Sequence, residues 1–89
     1  MHANVAYTSI DMTRLNDAVR GIEGVKERLR GLRGFKGAYW FEPVDGEGLM
    51  VSLWEDEQAA QDAAPPAGFS PAPGVTVDRV ETRAVIEQA

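Results

Sequence analysis

Gly34-Phe35-Lys36-Gly37-Ala38-Tyr39-Trp40-Phe41, then a polar reversal over 44–48, then Leu49-Met50-Val51-Ser52-Leu53-Trp54-Glu55-Asp56-Glu57-Gln58-Ala59-Ala60: this stretch decides the fold. The first run is aromatic and lacks helical spacing, so it reads as a strand over Phe35 to Glu42, ended by Pro43, which cannot donate a ladder bond. Val44-Asp45-Gly46-Glu47-Gly48 suits the return of an antiparallel partner. Leu49 to Glu55 is that partner. Its alternating sets, Leu49, Val51, Leu53 and Met50, Ser52, Trp54, are both largely apolar, as in a strand covered on two sides. Asp56 is placed to cap a short helix over Glu57 to Ala64, stopped by Pro65 and Pro66. Five of the seven aromatic residues fall in this segment, a density that suits a lined cavity or an interface.

Working outward, Ala3 to Ile10 reads as a first strand. Asp11 and Thr13 are alternative caps for a helix of roughly 18–22 residues, on which Leu15, Ala18, Val19, Ile22, Val25, Leu29 and Leu32 form one apolar stripe. Gly21 and Gly24 weaken that helix and suit close packing on a sheet or a bend, and Gly31 or Gly34 suits its left-handed end. Pro65 to Gly74 is a compact loop, and Val75 to Ile86 a final strand. The order β-α-β-β-α-β with right-handed crossovers predicts a ferredoxin-like α+β domain over residues 1–89: a four-stranded antiparallel sheet with both helices on one face. A bare second face would expose a large apolar patch, so a sheet-to-sheet homodimer is expected.

Composition narrows the function classes. A net charge of −5 argues against nucleic acid or an anionic membrane as partner, since both call for a basic surface. With no cysteine there is no disulfide, thiolate metal site or Cys nucleophile. No apolar run approaches a membrane span and no signal-peptide pattern opens the chain, which points to a cytoplasmic protein. No metal site is expected: the Glu55-Asp56-Glu57 run reads as a helix N-terminus, and His2, the one histidine, sits at a terminus expected to be disordered. The glycines at 31, 34 and 37 follow a helix and lack a Lys-Ser/Thr partner, so they form no phosphate loop.

The Gly34-Phe35-Lys36-Gly37 turn, the aromatic strand after it, and Ser52-Leu53-Trp54-Glu55-Asp56-Glu57-Gln58-Ala59 resemble the dimeric α/β-barrel superfamily. Within it, the resemblance is to the antibiotic biosynthesis monooxygenase group. It implies a pocket wall at Trp54 and an active-site Asn on the first strand at Asn4. Cofactor-independent members oxidise electron-rich phenols or anthrones, whose enolates react directly with dioxygen. Asn4 and Trp54 are thus the candidate catalytic residues, one donating through its amide and the other through its indole N–H. Trp54, Tyr39, Trp40 and Arg83 are the candidate ligand-binding residues, although adjacent strand positions point to opposite faces, so Tyr39 and Trp40 cannot line the same cavity. Arg79, Glu81 and Arg83 share a face of the last strand, as an ion network or an anion contact. The resemblance implies no bound cofactor here. Haem-degrading members carry an iron-ligating His on the second helix, absent between Asp56 and Ala64, so haem degradation ranks last. Two readings remain: a homodimeric barrel binding a small aromatic or polyketide-like molecule, with or without monooxygenase activity, and a non-catalytic ligand-binding or stress-associated barrel.

Overall fold

A computed structural model describes all residues 1–89. The elements run β1 (His2–Ile10), a single 3-10 turn (Met12–Arg14), α1 (Leu15–Arg30), β2 (Phe35–Trp40), β3 (Glu47–Trp54), α2 (Glu57–Ala63) and β4 (Val75–Ala84). The strands form one antiparallel sheet in the order β2-β3-β1-β4, which is the expected ferredoxin-like plan.

Local chemistry explains most boundaries. Asp11 caps the 3-10 turn by accepting from the Thr13 amide, and the α-helix proper begins only at Leu15, so α1 has 16 residues and is shorter than its apolar stripe suggested. Val19 and Leu32, read as part of that stripe, are exposed. Gly31 ends α1 in right-handed backbone, and the left-handed residue comes three positions later, at Gly34 with φ 78°. A Cβ at Gly34 would lie 2.8 Å from the Ala59 Cβ, so the approach of α2 also requires glycine there. β2 stops at Trp40, two residues short of Glu42. The reversal is a tight Asp45-Gly46 turn, both residues at positive φ, closed by reciprocal Val44 and Glu47 backbone bonds. Asp56 caps α2 as expected, accepting from the Ala59 amide.

Register assigns the faces. Thr82, Asn4, Ser52 and Ala38 are successive partners across the sheet, and Val80, Ala6, Met50 and Trp40 form the neighbouring row. These rows face the helices. A bulge between Tyr7 and Thr8 keeps Val75 and Val77 on the same side. The opposite face carries Val5, Tyr7, Tyr39, Val51 and Leu53, and no element of this chain covers it. β3 is therefore shielded on one side only within a single copy.

The two helices cover the sheet unequally. α2 presents Ala59 and Ala60 and sits close to β1, β3 and β4, because small side chains let the backbones approach. α1 presents Leu15, Ile22, Val25 and Leu29, and its backbone stays farther from the strands. The main core cluster, Val25, Leu29, Trp54, Ala59 and Ala60, lies where the helices converge. The difference in stand-off leaves a space beneath α1.

Candidate functional site

That space is a cavity of about 150 Å³, in which 19 of the 27 lining residues are hydrophobic. The sheet supplies its floor through Ala6, Met50, Trp40, Val77 and Val80, and α1 its roof through Ala18, Ile22, Val25 and Leu29. The 65–74 loop closes one side through Phe69, Pro71 and Ala72. This loop meets α1 at Gly21, where a Cβ would stand 2.5 Å from that of Ala72. Gly21 thus admits the loop, and not the sheet, to close contact with the helix. A space of about 150 Å³ holds a benzene-sized body.

The inner end of the cavity is polar. Asn4, only 4% exposed, donates one amide hydrogen from Nδ2 to the Ala60 carbonyl (2.8 Å) and accepts at Oδ1 from the Thr82 hydroxyl (2.8 Å). Ala60 lies among the last four residues of α2, whose carbonyls have no intrahelical donor, so Asn4 caps that helix end from the sheet. Its second amide hydrogen has no acceptor in the protein. Trp54, 1% exposed, packs edge-on to Phe35 at 5.4 Å between centroids, and its indole N–H donates to Ser52 Oγ at 2.8 Å. The only N–H of that ring is therefore engaged. The Ser52 hydroxyl proton has no acceptor in the protein. Two donors, one on Asn4 and one on Ser52, are left for a guest oxygen.

The expected site residues divide. Asn4, Trp54 and Trp40 all line the cavity. Tyr39 is 62% exposed on the far face of the sheet. Arg83 lies on that face too, hydrogen-bonded to Glu81, to which Arg79 is also paired, so the last-strand cluster is an ion network. The Arg83 hydrogen bond, aided by the charge of Arg79, lowers the Glu81 pKa. Neither Tyr39 nor Arg83 reaches the cavity. His2 is held in β1 opposite Trp54 and Ala84, not disordered, with Nε2 3.7 Å from Glu57 and an enclosed Nδ1 that has no partner.

Ser52 and Thr82 were missed as site residues. Ser52 carried a signal, being the one polar residue between Leu49 and Trp54. Thr82 carried none, because its place beside Asn4 depends on register across 78 residues of chain.

No family model and no curated protein matches the sequence. Solved structures do match in fold. The heme-degrader MhuD from Mycobacterium tuberculosis, with two hemes bound in its active site, superposes with a TM-score of 0.72 over 100% of this chain and 99% of its own, at 16% identity. A single-site mutant of MhuD with two manganese protoporphyrin IX bound per active site gives 0.72 over 100% and 98%, at 15% identity. The ferredoxin-like α+β fold expected from the sequence is the fold observed. Placing haem degradation last finds no support among these neighbours.

Proposed function

We propose that this chain is a homodimeric α/β-barrel protein that binds a small phenol-like aromatic molecule in the cavity beneath α1. The observation that carries this reading is the pairing of apolar walls with two unengaged donors, Asn4 Nδ2–H and Ser52 Oγ–H, at the buried end. Apolar walls supply affinity and a few placed polar groups supply orientation. A phenolic or carbonyl oxygen is the acceptor that those donors fit. In the enzymatic form of this reading, the same donors stabilise the phenolate or enolate formed when the substrate loses a proton to water, and dioxygen adds to its carbanionic carbon, the resulting peroxide taking a proton from water to give a hydroperoxide. Titration with 4-ethylphenol followed by calorimetry tests the binding claim. Saturable one-to-one binding, about tenfold tighter than that of 4-ethyltoluene, which carries a methyl in place of the hydroxyl, is the expected result. Absence of binding to the wild-type protein would sink the reading. Oxygen uptake with a single-ring quinol then separates an oxygenase from a binding module.

Haem degradation is the second reading, favoured by the two MhuD structures. The residues present do not fit an iron ligand: the cavity is lined by no His, Cys or Tyr, and α2 has no His. Hemin is accordingly expected to give no stoichiometric Soret shift, and a one-to-one shift would overturn that assignment.

Dimerisation is supported by the uncovered apolar face bearing Val5, Val51 and Leu53. Sedimentation is expected to give twice the chain mass at micromolar concentration and the single mass for Val51→Asp. A wild-type monomer would refute it.

A further inference from the structure

The cavity has one charged residue in its lining, Arg28. It stands near the C-terminal end of α1, where a cation is favoured by the helix dipole, and is exposed where the cavity meets solvent. Arg14, Arg20, Lys26, Arg33, Arg79 and Arg83 are all ion-paired within the chain, whereas Arg28, Arg30 and Lys36 have no carboxylate within pairing distance, and of these three only Arg28 lines the cavity. In a protein of net charge −5, an unneutralised guanidinium at the mouth of an apolar cavity is a specific feature.

Arg28 is also held in place. Its Cζ lies 5.5 Å from the centroid of the Phe69 ring. Phe69 in turn is pinned to the sheet, since its carbonyl accepts from the Val77 amide at 2.8 Å and its amide donates to the Pro66 carbonyl at 3.2 Å. A cation stacked on an anchored ring keeps its fork of N–H donors available and loses little freedom when it takes a partner.

We propose that the ligand of this cavity is an amphiphile with a carboxylate at its outer end, and that Arg28 is the residue that binds that carboxylate. The inference rests on the cavity being a binding site and adds the charge of its guest. Buried donors and an exposed guanidinium in one lining call for a molecule with an oxygen acceptor on an aromatic ring, an apolar body and an anionic head that stays near solvent.

The test uses 3-(4-hydroxyphenyl)propanoate and its primary amide, which match in shape and differ in one charge. Calorimetry on the wild-type protein is expected to show the acid bound about tenfold tighter than the amide, the scale of one charge-assisted contact. In Arg28→Gln the acid should fall to the level of the amide, with the amide unchanged within about twofold. Equal binding of both probes to wild type overturns the carboxylate inference and leaves the cavity reading standing. A preference for the acid that survives in Arg28→Gln overturns the assignment to Arg28. Failure of both probes, together with failure of neutral 4-ethylphenol, overturns the cavity reading itself.

Discussion

Trp54→Ala is expected to cost about 3–5 kcal/mol of folding free energy, the range for removing a fully buried large aromatic. Trp54 is 1% exposed and belongs to the core cluster with Val25, Leu29, Ala59 and Ala60. It gives Phe35 an edge-on ring contact and Ser52 a hydrogen bond. The neighbours that would have to fill the gap are held by the sheet register and by the short α2, so collapse is limited. For a domain of this size each kcal/mol moves Tm by about 4–8 °C, giving a fall of about 12 °C or more. Trp54→Phe keeps most of the ring and leaves Ser52 without its donor, a loss of about 1–2 kcal/mol. Urea denaturation of the three proteins measures this directly. A Trp54→Ala variant within about 1 kcal/mol of wild type would mean that the core closes over the gap and that Trp54 does not hold it together. Because its indole N–H is occupied by Ser52, Trp54 offers the cavity a wall and no free donor.

Asn4→Leu is the second large effect, at about 2–4 kcal/mol. The substitution preserves shape and strands two groups, the Ala60 carbonyl and the Thr82 hydroxyl, each costing about 1–3 kcal/mol if left unpaired in the interior. Asn4→Asp separates the hydrogen-bonding role from simple packing. A protonated carboxyl at this position donates to Ala60 and accepts from Thr82, whereas a carboxylate repels the Ala60 carbonyl. Burial beside that carbonyl raises the folded pKa of the new Asp above its unfolded value of about 3.9. The variant therefore matches wild type most closely below about pH 4 and loses stability relative to it as pH rises through the folded pKa. Stability measured against wild type at each pH is the readout, since the wild-type protein also weakens in acid. Arg33 holds the Asp56 carboxylate pKa low, chiefly by hydrogen bonding, so the cap of α2 is itself lost as pH falls through that lowered value. A pH-independent difference between Asn4→Asp and wild type would refute the role of Asn4 as a donor to α2.

The same two residues show what a sequence can and cannot specify here. Asn4 and Trp54 were identified through a resemblance, and both line the cavity. Their partners were not legible. Asn4 bonds to Ala60 and Thr82, which lie 56 and 78 residues away, and no local pattern encodes contacts of that range. The indole of Trp54 looked free to donate to a guest until register and rotamer turned it onto Ser52. Nothing in the sequence singled out Arg28; the tertiary structure sets it beside Phe69 of the 65–74 loop and in the cavity lining.

By itself the sequence determined the order of elements, the cap at Asp56, the reversal over 44–48 and hence the ferredoxin-like plan, because these depend on periodicity and on hydrogen bonds spanning a few residues. Only the tertiary structure decided which face of each strand the helices cover and that Tyr39 and Arg83 point away from the cavity. It also decided that α1 stands off from the sheet while α2, through Ala59 and Ala60, does not. The physical reason is that a cavity is the difference between two packing distances. Side-chain size on one helix sets one of them, the 65–74 loop wedged at Gly21 bounds the space beside it, and neither is a property of any single segment.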